Sequence, residues 1–154
     1  LEAALCLVFG QDCVVIAPTG FGKTLVIIMA LLLRPLEGSL LIVPLKRLQQ
    51  CQLIEFLKYG IQSVVVNEDT PHDRKLWEDI KVWRYPNIIT TIEQLDVIEG
   101  HVPRLARLIR TSKLFKSNIK RATLDEAHFV HTAGRSSHGR KAFRPSYARF
   151  SSPK

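Results

Sequence analysis

The chain has 154 residues, 46% hydrophobic and 23% charged, which is one domain of ordinary globular composition with enough apolar sequence to bury a core. Its apolar run from Leu25 to Leu33 stops at Arg34-Pro35, short of the ~18 residues a membrane helix needs, and no signal peptide is legible. The net charge of +8 is uneven: residues 101–154 hold thirteen Lys and Arg against only Asp125 and Glu126, which fits either a polyanionic partner, nucleic acid first, or a solvated basic surface.

In chain order, residues 12–17 (DCVVIA), 39–44, 63–67, 87–91 and 119–125 read as strands. They are near-continuous apolar runs rather than alternating ones, the pattern of strands covered on both faces. Helical patterns lie between them. Residues 22–33 follow a glycine turn, 45–58 carry Leu45, Leu48, Leu53 and Leu57, and 73–84 carry Leu76, Ile80 and Trp83. Residues 103–116 open on Pro103 and set Leu105, Leu108, Ile109 and Phe115 along one side. This alternation predicts an α/β domain, a parallel sheet with helices on both faces.

Trp77 and Trp83 read as packing residues, and Arg104, Arg107, Arg110 and Lys113 as a solvated helix face. Cys6, Cys13 and Cys51 form no CxxC pair and read as reduced core thiols. From Phe129 onward the chain loses periodicity and becomes a basic loop.

In a parallel sheet, ligands bind at the carboxyl ends of the strands, where a loop leads into a helix. The stretch APTGFGKT (17–24) falls at that place. It matches the phosphate-binding pattern G-x-x-x-x-G-K-[ST], with Ala17 in place of the first glycine. Pro18, Thr19, Gly20, Phe21 and Gly22 form the turn whose N–H groups converge on a phosphate, and the following helix adds its positive end. Lys23 then reaches the terminal phosphates and the Thr24 hydroxyl ligates Mg²⁺, so the expected cofactors are ATP and Mg²⁺.

A nucleotide site needs an acid on a neighbouring strand to place the metal. TLDEAH (123–128) supplies it: Asp125 as the Mg²⁺ residue and Glu126 as the base that polarises the attacking water. His128 and His131 have i,i+3 spacing, but no cysteine or further carboxylate lies nearby to complete a zinc set.

With both motifs on the page, the chain resembles the first RecA-like lobe of a superfamily 2 helicase, and within that group the RecQ-like ATP-dependent DNA helicases. APTGFGKT is similar to motif I and DEAH (125–128) to motif II, which adds His128 to Glu126 and Lys23 among the implied catalytic residues. VPLKRLQQCQ (43–52) is similar to motif Ia through Pro44, Leu45, Leu48 and Gln52, and TTIEQL (90–95) to the following family segment through Glu93 and Leu95. FRPSY (143–147) looks like the arginine-bearing end of the loop that couples DNA contact to hydrolysis. The resemblance thus implies nucleic-acid coupling by Pro44, Gln52, Phe143 and Arg144, a DNA partner, 3′–5′ strand separation and a nuclear or cytoplasmic location, the nucleus favoured. It also implies one helicase ATP-binding domain over 1–154, cut short at both ends, with residues 129–142 a basic insertion and Ala133 standing where the family has tryptophan. A second RecA-like lobe is expected to complete it. The alternatives are a non-catalytic remnant that binds ATP or nucleic acid, or a lobe of a DEAD/DEAH-type RNA helicase. A GTPase is disfavoured because its N-K-x-D motif is absent.

Overall fold

The computed structural model describes residues 1–18, 20–97, 100–129 and 146. Four strands, β1 (Gly38–Ile42), β2 (Ser63–Val66), β3 (Asn87–Thr90) and β4 (Ile119–Leu124), make one sheet in the order β2-β3-β1-β4. Every pairing is parallel, with Leu41 opposite Ile89 and Thr123 across its two ladders. The helices are α1 (Glu2–Val8), α2 (Lys23–Leu33), α3 (Lys46–Lys58), α4 (Arg74–Lys81), α5 (Arg104–Thr111) and α6 (Lys113–Asn118), with a 3₁₀ turn at Ile92–Gln94.

Successive strand residues face opposite ways, and the core divides accordingly. Leu41 and Ile89 pack with Ile27, Ile28 and Leu31 of α2 and Phe56 of α3. Their neighbours Leu40 and Ile88 pack on the other face with Ile80 of α4, Leu105 of α5 and Phe115 of α6. Helices therefore cover both faces, as the apolar runs predict. Phe56 and Phe115 are fully buried, each worth about 1.5–3 kcal/mol relative to exposure.

Residues 12–17 depart from the expectation. They form no strand among the described residues, and Val14 and Ile16 are 87% and 95% exposed. An apolar run makes a strand only where an edge offers it a hydrogen-bonding ladder. Both sides of β1 are taken, by β3 and β4, and among the described residues the run pairs with neither edge strand, β2 nor β4.

Other differences are local. The pattern over 103–116 is two helices, because Ser112 leaves helical geometry and its hydroxyl caps the Phe115 N–H of α6. In α3 only part of the leucine stripe meets the core: Leu48 and Leu53 are half-buried against it and Leu45 and Leu57 are exposed, while Gln49 and Phe56 are buried. The helix α1 was not expected. The cysteines are free but not core residues, since Cys13 and Cys51 are exposed and Cys6 is half-buried. Although Cys13 is exposed, partial desolvation and the adjacent Cys6 push its thiol above the ordinary value. No helix among the described residues is long and apolar enough to cross a membrane.

Candidate functional site

The glycine turn is built as its sequence suggests. The Phe21 N–H donates to the Pro18 carbonyl at 3.3 Å, and Gly20 and Gly22 carry the chain through left-handed backbone at φ 84° and 77°. A side chain at Gly20 would meet no atom within 4 Å, so the space beside the turn is open. No side chain caps the start of α2, which leaves its leading N–H groups available to an anion. Lys23 folds back on its own loop and donates to the carbonyls of Ala17 at 2.8 Å and Pro18 at 3.2 Å. Both partners are neutral, so the ammonium charge stays unbalanced at the loop. The Phe21 ring is exposed, and Thr19 lies outside the described residues.

The acidic motif sits at the carboxyl end of the sheet. The Asp125 N–H donates to the Ile42 carbonyl at 2.9 Å, extending the β1–β4 ladder one residue beyond the strand. Asp125 Oδ1 accepts from the Glu126 N–H at 2.9 Å. Glu126 adopts left-handed backbone, φ 53°, a conformation that costs a non-glycine residue about 1–2 kcal/mol. Its Oε2 lies 3.1 Å from His128 Nδ1, and the His128 ring leans on Phe129 at 4.7 Å between centroids.

Helix α3 joins the two motifs. Leu48, Gln52, Glu55 and Tyr59 follow one another at helical spacing and line the same cleft. Gln52 Nε2 donates to Thr24 Oγ1 at 3.3 Å and to Asp125 Oδ2 at 3.4 Å. The cleft holds about 470 Å³, and Gly22, Lys23, Thr24, Gln52, Asp125 and Glu126 all contribute to its wall. Residues a hundred positions apart in the chain thus share one concave surface.

The donor set suits a hard divalent cation. Thr24 Oγ1 and Asp125 Oδ2 fall within reach of a single amide nitrogen, and both are oxygen ligands of the kind Mg²⁺ takes. Among the described residues no group of three or more His, Cys, Asp and Glu is placed to hold a metal. A cation here would draw the rest of its shell from phosphates and water, as Mg²⁺ does in nucleotide sites.

A family model for DEAD/DEAH box helicases matches residues 1–148. The chain belongs to the DEAD/DEAH box helicase family. No curated protein matches it. The parallel α/β architecture is the RecA-like fold of a DEAD/DEAH box helicase domain, and the chain is a superfamily 2 first lobe. Helicase domains of this family use ATP, typically with Mg²⁺, and bind nucleic acid.

The sequence-predicted residues of this helicase domain distribute clearly. Gly20, Gly22, Lys23, Thr24, Asp125 and Glu126 converge on the cleft, with His128 against Glu126. Pro44 is buried at the end of β1, and Gln52 lies across Thr24 and Asp125. Phe143, Arg144 and the 129–142 segment beyond Phe129 lie outside the described residues. Sequence reasoning gave Gln52 no part in the nucleotide site. The available signal was its spacing of four from Leu48, which puts a polar amide on a face of α3 that otherwise looks inward.

Proposed function

We propose that this domain is the ATP-binding lobe of a RecQ-like DNA helicase, coupling ATP hydrolysis to 3′–5′ strand separation with a second RecA-like lobe. One observation carries the nucleotide part: the glycine loop with Lys23 and Thr24, and the acid pair Asp125 and Glu126, open on one cleft. Support for the RecQ-like and DNA part comes from the segments at 43–52, 90–95 and 143–147 and from the basic charge after residue 100.

In this reading the N–H groups of the glycine turn and of the start of α2 cradle the phosphate chain. Lys23 leaves the Ala17 and Pro18 carbonyls and turns its ammonium to the terminal phosphates. Thr24 Oγ1 and Asp125 Oδ2 would hold the cation, which when bound would neutralise charge on the phosphate oxygens. Glu126, set at the rim by its left-handed backbone, takes the proton of the attacking water. Its neighbour His128 stands 3.1 Å away and orients that carboxylate.

The test is fluorescence anisotropy of the chain with single-stranded DNA and RNA of one sequence, each with and without Mg²⁺ and a non-hydrolysable ATP analogue. Nucleotide-dependent binding that favours DNA supports the proposal. A preference for RNA overturns the DNA assignment, and failure to bind the analogue overturns the nucleotide site.

A further inference from the structure

We infer that Gln52 is a positioning residue of the cation site, presetting the Thr24 hydroxyl and the Asp125 carboxylate and offering its own carbonyl to a water on the bound metal. The inference rests on the ATP-binding reading of the cleft and adds to it a residue from a third element, α3.

The orientation of the amide follows from chemistry. Asp125 Oδ2 is an acceptor, so the atom 3.4 Å from it must be the Gln52 nitrogen. The same nitrogen reaches Thr24 Oγ1 at 3.3 Å, which uses the amide's two protons on the two oxygens that would meet the cation. Asp125 is then fixed on both sides, by Gln52 at Oδ2 and by the Glu126 N–H at Oδ1. Without the amide, the carboxylate has one fewer hydrogen bond holding its plane, and Thr24 loses its link to β4.

The other end of the amide carries the second half of the inference. Gln52 Oε1 is buried and has no hydrogen-bond partner among the described residues. A buried carbonyl without a donor costs about 1–3 kcal/mol, and such groups in a cleft mark a place where a donor arrives with the ligand. A water bound to a divalent cation is a strong donor, and hard cations in nucleotide sites keep several. Outer residues that orient metal ligands in this way govern affinity nearly as strongly as the ligands do.

The helix supplies the rigidity. Gln52 is in the middle of α3, between Lys46 and Lys58, with Leu48 and Leu53 packed on the core cluster of α2 and β1. The amide is therefore held by a packed element rather than by a loop.

The experiment compares the wild-type chain with Gln52→Met, which keeps length and helix propensity but removes both amide functions, and with Gln52→Ala. The probe is a fluorescent N-methylanthraniloyl ATP. Its affinity is measured in EDTA and across a Mg²⁺ titration, with circular dichroism melts to confirm folding. We expect both variants to raise the Mg²⁺ concentration for half-maximal binding by about 10–100-fold, while affinity in EDTA is unchanged. An unchanged Mg²⁺ midpoint in either folded variant, where the wild type responds to Mg²⁺, overturns the role of Gln52 and leaves the nucleotide reading standing. An equal loss in EDTA also overturns it, because the residue would then shape the cleft and not the cation site. Absence of probe binding by the wild type overturns both readings. Binding of single-stranded DNA is followed in parallel; its loss with an intact Mg²⁺ midpoint would overturn the inference and assign Gln52 to the nucleic acid.

Discussion

The indole of Trp83 lies flat on Phe115, ring centroids 4.7 Å apart and planes 17° from parallel, and its Nε1–H donates to the Phe115 carbonyl at 3.2 Å. Trp83 reaches this position from left-handed backbone at φ 58°, just past the end of α4. The stack ties α4 to α6 across the start of β1. Gly38 opens that strand, and it is glycine because nothing larger fits: a Cβ would stand 2.5 Å from Trp83 Cη2 and 2.7 Å from the Asn118 carbonyl oxygen.

Gly38→Ala should therefore destabilise the domain by about 1–3 kcal/mol, the usual cost of overpacking. The carbonyl oxygen belongs to backbone between α6 and β4 and has little freedom to retreat. Urea unfolding measures the loss. Because Gly38 begins β1 and the cleft lies at its other end, nucleotide affinity of the folded variant should equal that of the wild type.

A second prediction concerns Arg121, whose side chain is 3% exposed in the middle of β4. Its Nη1 donates to Glu37 Oε2 at 2.6 Å, and Nη2 donates to the carbonyls of Arg34 and Glu37 at 3.1 and 3.0 Å. Glu37→Gln leaves a buried guanidinium without its counter-charge, and should cost about 1–3 kcal/mol. The double variant Glu37→Gln/Arg121→Met should recover part of that loss, since removing a whole buried pair is cheaper than breaking it. A double-mutant cycle by urea denaturation reads both.

Lys23→Ala should weaken binding of Mg·ATP by about 1.5–3 kcal/mol, the worth of a hydrogen bond to a charged group. Among the described residues the side chain bonds only to carbonyls of its own loop, so the melting curve should be close to wild type. Titration with the fluorescent ATP checks it, and equal affinity would remove Lys23 from the phosphate site.

The acid pair should separate by role. Glu126→Gln keeps size and polarity, so binding should persist while any nucleic-acid-stimulated hydrolysis falls by roughly 10²–10⁴, the range for a lost general base. Asp125→Asn should instead blunt the response of ATP binding to Mg²⁺, because it removes a charged oxygen from the cation site. Phosphate release and the Mg²⁺ titration read these two effects independently.

Much of the site was legible because its chemistry is written in consecutive residues. Gly20 to Thr24 and Asp125 to Glu126 are each contiguous in sequence; the start of α2 places the first group and the end of β4 the second. β1, β2 and β3 were legible for a related reason, being largely apolar blocks of the right length, and β4 (IKRATL) by its place before the acid pair. What escaped the sequence depends on partners far along the chain. Residues 12–17 have the same apolar signature as β1, yet pairing needs a partner strand from elsewhere in the chain, and no local pattern encodes that. Ser112 was hidden by an apolar stripe that continues across it, although its hydroxyl is a standard helix cap. The contacts of Gln52 with Thr24 and Asp125 were not legible either, because they join residues far apart in the chain.

The sheet order also bears on how the domain comes to exist. Residues 63–66 find 87–90 after a short excursion, and 38–42 then pair with the same strand, but β4 must return from the far end of the described chain to reach β1. Closing longer loops costs more entropy, and contacts of wide sequence separation slow folding. Asp125 takes its place only when that last ladder zips to the Ile42 carbonyl. If the ladders form in order of sequence separation, Asp125 joins the proposed cation site last, after β1, β2 and β3 are in register.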